Sequence, residues 1–302
     1  MDLRQLEYVV AVAEERSFTR AAARCHVVQS ALSAQVARLE RELGVTLFHR
    51  TSRSVRVAPA GELLLPHARL LLHGAEVARA ELNAFSGVIT GRLRLGMVGT
   101  AGRGAPLVEQ TLLAFHQRHP AVEIAVQDTG SRHMADLVRA GDLDLAFVGL
   151  FADQVPSGVV HHLLADEPLV AVVTATHPLA GCAAVSLGEL AAAGPFIDMR
   201  GESGLRLQVD AAFDRAGVER TVVFELGTSD AVVRFAGLGF GAALVPASAA
   251  DGVADVVVLT VEDPAARHPI GLVHRSPAPS TPSGRAFLSL LLERGGTPRG
   301  NG

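Results

Sequence analysis

The sequence predicts an α/β body carrying a small all-α, winged N-terminal head. Basic charge gathers at the start of the chain, a long helical stretch with heptad spacing follows, and strand-like and helix-like segments then alternate. Residues 1–58 hold nine arginines against six acids, whereas the 302-residue chain as a whole has a formal net charge of −4. A basic segment on an acidic protein is a candidate polyanion-binding head. With 49% hydrophobic and 19% charged residues, the chain has apolar material for two or three packed domains, and wholesale disorder is excluded.

In the head, Leu3, Leu6, Val9, Val10 and Ala13 recur at helical spacing. This helix stops near Arg16. Ser17 or Thr19 can cap a short second helix from Arg20 to Cys25. After a break at His26-Val27-Val28, a third helix is expected from Gln29 to Leu43. Ala31, Leu32, Val36, Leu39 and Leu43 form its inner face, and Gly44 ends it. Two short strands, Thr46 to Arg50 and Val55 to Ala58, flank Thr51-Ser52-Arg53-Ser54. Three helices and a basic hairpin describe a winged helix-turn-helix. Its third helix can enter a major groove N-terminus first. Its hairpin brings Arg50, Arg53 and Arg56 to phosphates or the adjacent minor groove.

From Pro59, a residue suited to a helix start, Leu64, Ala68, Leu71, Ala75, Ala78, Leu82 and Phe85 alternate spacings of four and three. That is an a/d seam over three heptads, expected to pair two copies. Ser86-Gly87 and Thr90-Gly91 then mark a hinge. The expected divisions are a head over 1–58, a linker helix and hinge over 59–90, a two-lobed body over 91–294 and a disordered tail over 295–302.

The body reads as βαβ units with largely parallel strands. Strands are expected at Leu93–Val98, Val122–Gln127, Leu143–Leu150, Leu169–Thr174, Phe196–Met199, Thr221–Glu225, Ala242–Val245 and Ile270–His274. Helices are expected at Pro106–His119, Ser131–Ala140, Leu187–Ala192, Leu205–Ala216, Ser229–Ala236 and Gly284–Arg294. Two such lobes leave a cleft where strand ends and helix starts meet a small ligand. Its candidate polar groups are Thr100, Ser131, Ser203 and Thr228, with Phe196 and Met199 as an apolar wall. Arg200 and Arg206 are suited to a carboxylate.

The stretch SFTRAAARCHVVQSALSAQVARLERELGVTLFHRTSRSVRVAPAG resembles the DNA-binding head of LysR-type transcriptional regulators. It carries SFTRAA, QSALS, LERELGVTLFHR and the PAG after the wing in order. LVRAGDLDLAFVG, ADEPLVAVVTATHPLA and FAGLGFGAALVP resemble the effector-binding body of that family, itself similar to periplasmic solute-binding proteins. The resemblance implies that Gln29, Ser30 and Ser33 stand at the groove-facing start of the recognition helix. It also implies that Ser33, Arg50, Thr51 and Arg53 contact phosphate, and that Ser131 stands where relatives contact effectors. Arg56 is added from charge and spacing. The chain departs from the family pattern at Val28, Ala34 and Ala58, where a capping Ser or Thr, a long polar residue and a capping Thr are usual. The family commonly forms homotetramers, dimers of dimers, on promoter DNA.

Other classes fit poorly. RGESGL has Leu205 where a nucleophile elbow needs a second glycine. GTAGRGAP lacks the Lys-Ser/Thr of a phosphate loop. Cys25 and Cys182 are too few for a disulfide framework or a four-thiolate metal site and read as small buried thiols. His161, His162 and the other histidines lack metal-ligand spacing and read as surface or capping groups. No catalytic residue, metal or cofactor is expected. The start lacks signal-peptide character and no window reaches about 18 uninterrupted apolar residues, so a cytoplasmic, non-membrane protein is expected. The chain is expected to be a DNA-binding regulator governed by a small effector. A solute-receptor-like protein whose head serves assembly is the alternative.

Overall fold

The structure, a computed structural model, describes residues 1–50, 54–98 and 105–295. It divides into two compact units, Met1–Gly87 and Val88–Gly302.

In the first unit, α1 (Leu3–Glu15) starts at Asp2, whose carboxylate accepts the Gln5 N–H while the Gln5 side chain accepts that of Asp2. Helix α2 (Phe18–Arg24) starts at Ser17, whose Oγ accepts from Arg20 N. It begins two residues before the expected Arg20 because Phe18 is drawn into the core, edge-on to Phe48 at 5.9 Å. Helix α3 (Gln29–Leu43) has the expected bounds and ends at Gly44 in the left-handed region. Its inner face is narrower than expected: Leu32, Val36 and Leu39 are buried, whereas Ala31 and Leu43 face solvent.

The wing is an antiparallel pair, β1 (Phe48–Arg50) and β2 (Val55–Val57). Helix α4 (Pro59–Phe85) follows with Pro at its start and no side-chain cap from Ala58. The glycine of the PAG motif has a steric cause, since a Cβ on Gly61 would lie 2.5 Å from Leu47 O. The seam divides. Leu64 packs on the head's core and Ala68 is buried, while Leu71, Leu82 and Phe85 stand exposed, Phe85 by 93%.

The second unit is two lobes. The first contains β3 (Gly91–Met97), α5 (Ala105–Arg118), β4 (Val122–Gln127), α6 (Ser131–Ala140) and β5 (Leu145–Val148). Strand β6 (Val159–Thr174) runs out of it. The second lobe adds β7 (Ala184–Val185), α7 (Leu187–Ala193), β8 (Phe196–Met199), α8 (Gly204–Ala216), β9 (Val222–Leu226), α9 (Ser229–Gly237), β10 (Ala243–Pro246), α10 (Ala247–Ala250) and β11 (Val256–Val261). Strand β12 (Arg267–Arg275) and α11 (Pro282–Gly295) return to the first lobe, where Phe287 packs against Phe115.

The eight-stranded sheet is mixed, which corrects the expectation of largely parallel strands. Strands β4, β3 and β5 are parallel, but β6 is antiparallel to β12, β10 and β11. Strand β6 is 16 residues long, more than twice the Leu169–Thr174 expected. Its opening stretch, VVHHLLADEP, is too polar and proline-marked to read as strand, and β12 on its flank supplies the pairing that makes it one. Both β6 and β12 pass between the lobes, so two continuous strands join them.

Candidate nucleic-acid interface and ligand cleft

In the head, the first turn of α3 presents Gln29 and Ser30 to solvent. Val28 precedes them, 68% exposed, with no side-chain hydrogen bond to the helix start. The wing is tied to this helix. Arg50 donates to Ser33 Oγ at 2.9 Å and to Glu40 Oε2 at 3.1 Å, and its guanidinium lies 4.1 Å from the Phe18 ring centroid. Glu40 Oε1 accepts the Leu47 and Phe48 N–H groups. Glu40 thus fixes the wing's root rather than pairing along its own helix. Arg50 and Ser33 hold each other beside the exposed Arg56. Thr51 and Arg53 lie outside the described residues.

In the body, a cleft of about 1050 Å³ opens between the lobes. The starts of three helices line it: Gly130 and Ser131 for α6, Ser203 and Gly204 for α8, and Thr228 and Ser229 for α9. Ser203 Oγ accepts from Arg206 N and Thr228 Oγ1 from Ala231 N, so each caps its helix and keeps a hydroxyl proton to donate. Ser131 is fully buried, and its Oγ accepts from Gly149 N at 3.0 Å. Helix α6 has no side-chain cap; Gly130 precedes it at φ 87°. Met199 and Arg200 also line the cleft. Thr100 lies outside the described residues.

Two expectations are corrected. Phe196 is no cleft wall: it is 1% exposed in the second lobe's core, edge-on to Phe213 at 5.2 Å. Arg206 is committed elsewhere, to Asp210 at 2.9 Å, Glu225 at 2.8 Å and Met199 O. Burial opposes its charge, and the hydrogen bonds to Glu225 and Asp210 outweigh that, holding its pKa above the ordinary value. Arg220, against Asp198 and Asp210, completes this network behind the cleft. Asp198 is raised because burial outweighs the pull of Arg220.

His161, His162, His268 and His274 overturn their reading as surface or capping groups, whereas His26, His49, His67, His116 and His133 are exposed as expected. His162 and His274 stack with Nε2 atoms 2.9 Å apart, and burial lowers the pKa of both. His161 Nε2 is buried without a hydrogen-bond partner among the described residues. His268, on β12, lines the cleft and is 6% exposed. Burial pushes its pKa down to about 4. Periodicity gave no signal for it, because its neighbours come from distant strands. Cys182 is likewise exposed, not a buried thiol.

A winged helix-turn-helix with an exposed recognition-helix start, joined to two α/β lobes around a cleft, defines a ligand-responsive DNA-binding protein. Known proteins agree with that class. Residues 3–62 match the family described as bacterial regulatory helix-turn-helix protein, lysR family, and residues 86–296 match the LysR substrate binding domain. The chain is 32% identical over 285 residues to the DNA-binding transcriptional dual regulator OxyR of Escherichia coli K12, covering 92% of this chain and 91% of that one. It is 34% identical over 249 residues to the HTH-type transcriptional regulator BudR of Raoultella terrigena, covering 82% and 85%. A full-length OxyR point variant from Pseudomonas aeruginosa superposes with a TM-score of 0.71 at 26% identity, covering 98% and 94%. Full-length CbnR complexed with its target DNA does so with 0.67 at 25%, covering 97% and 98%. The chain belongs to the LysR family of DNA-binding transcriptional regulators. Among the described residues, no helix is long and apolar enough to cross a membrane.

Proposed function

We propose that this regulator reads promoter DNA with Gln29 and Ser30 at the start of α3, and holds phosphates with Ser33, Arg50 and Arg56, joined by Thr51 and Arg53 of the wing. The observation that carries this reading is the pair of exposed polar side chains opening a helix whose opposite face is the head's core. Gln suits a bidentate contact with adenine. The exposed apolar side chains of α4, Leu71, Leu82 and Phe85, pair two copies. Paired heads then read paired half-sites, in a cytoplasmic dimer that assembles into a tetramer.

The cleft takes a small effector between Met199, Ser203, Thr228, the start of α6 beside Ser131, and Thr100. We assign it binding and not catalysis, because Ser131, Ser203 and Thr228 each accept a backbone N–H. An effector shifts DNA binding by as much as its affinity differs between the arrangements of the protein. A response to hydrogen peroxide, carried in the names of several relatives, gains no support here. Peroxide oxidises thiols, and the body has one, Cys182, with no second to close a disulfide.

The test is selection of duplexes from a random library by the full chain, followed by affinity measurements with variants. Gln29→Ala should cost about 1–3 kcal/mol on the selected site and relax preference at one base position. Equal weakening on every sequence would remove its base-reading role. Failure to select any sequence would favour a ligand-binding protein whose head serves assembly.

A further inference from the structure

His268 is out of place for a structural histidine. It is 6% exposed, Nδ1 is sealed without a hydrogen-bond partner, and yet the residue lines the cleft. Across the strand pair, Glu167 accepts from Ser248 N and Oγ. The ring rests on Gly149, where a Cβ would come 2.7 Å from Cε1 and 3.5 Å from Nε2. Gly149 is itself fixed: its N–H donates to Ser131 Oγ, and its carbonyl accepts from Gln208 Nε2. The imidazole is therefore set in place by its surroundings and, among the described residues, makes no hydrogen bond of its own.

A neutral imidazole has one N–H and one bare nitrogen. Burying a donor without an acceptor is the costlier choice, so the proton belongs on Nε2. Burial keeps the ring neutral at neutral pH, with its pKa at about 4. Beside it, α6 begins without a side-chain cap, at Gly130, which leaves first-turn N–H groups to a ligand. Arg200 lies on the same cleft. These groups all donate. The cleft's acids, Asp128, Glu202 and Asp230, are exposed and disfavour a second negative charge.

We propose that His268 is the specificity-determining residue of the cleft, its Nε2–H donating to the carboxylate of a small organic monoanion that also accepts from the start of α6. The proposal rests on the cleft being the effector site.

The test is thermal-shift titration of the full chain with isosteric probes: butanoate, butanamide and butylamine, with glutarate as the dianion. Butanoate should raise the melting temperature, and the amide, the amine and glutarate should do so less or not at all. His268→Leu removes the unpaired nitrogen, so it should fold at least as stably while weakening butanoate by about tenfold or more. His268→Gln, which keeps an N–H, should recover part of that loss. Equal butanoate binding by His268→Leu, or stabilisation by the amine, the amide or glutarate above butanoate, overturns the role of His268 and leaves the cleft a binding site. Absence of stabilisation by all four probes overturns both the proposal and the cleft reading it rests on.

Discussion

Protonating His268 sets a charge on a ring that is almost wholly buried at the wall of the cleft. In the unfolded chain the imidazole takes up a proton near pH 6.5, in the folded chain only near 4. Between these values the unfolded state binds more protons. Its contribution is fully present above pH 6.5 and is lost as pH falls through 4, at most about 3 kcal/mol. Urea unfolding of the full chain at pH 7 and pH 5 should give lower stability at pH 5, with a smaller loss in His268→Leu. Burial lowers His161, His162 and His274 in the same direction, so part of the slope persists in that variant. None of this was legible in the sequence. RHPIGLVHR reads as an apolar strand with polar ends, and the burial of His268 depends on Glu167 and Gly149, about a hundred residues away. Gln29 and Ser30, which the family resemblance puts at the start of the recognition helix, and Arg56, added from charge and spacing, all stand exposed.

Helix α3 was legible to the residue, and β6 by less than half, for reasons that differ in kind. Helix α3 has its own hydrophobic period and its own glycine stop. Strand β6 is held by β12, β10 and β11, and its opening stretch carries little pattern of its own. Strand β11 is a further element absent from the expected strands, although Asp251-Gly252 marks a turn before it. The missing cap of α3 makes a prediction: Val28→Ser should supply a hydroxyl to the helix start and raise the head's stability by about 1 kcal/mol, read from the urea midpoint. A value unchanged or lower would mean that Val28 contributes packing that outweighs the cap. Helix α4 carries a second prediction. Leu71→Asp places a charge on its exposed apolar stretch and should lower the oligomer mass seen by light scattering; an unaltered mass would move the pairing surface off this helix.

At the scale of the whole molecule, two covalent strands and a few side chains decide how the lobes of the body relate. Gln208, on α8 of the second lobe, donates to Gly149 O and Gln154 Oε1 of the first. Gln208→Ala removes the donor to Gly149 O and should lower the body's stability by about 1–3 kcal/mol, measured by thermal unfolding of the full chain. A neutral effect would show that water replaces the amide without cost. The separation of charge along the chain, basic head and acidic remainder, is a property of composition at this scale and needs no element to be known. The mixed sheet was not, because strand direction depends on which segments meet.

Helix α4 has one more consequence, and it is mechanical. Its 27 residues at about 1.5 Å each make a rod of about 40 Å. A tilt of about five degrees at one end carries the other end through about 3.5 Å, close to the step of about 3.4 Å between neighbouring base pairs. A lever of this length turns an angular change smaller than the swing of a side chain into a shift of one rung on the DNA ladder.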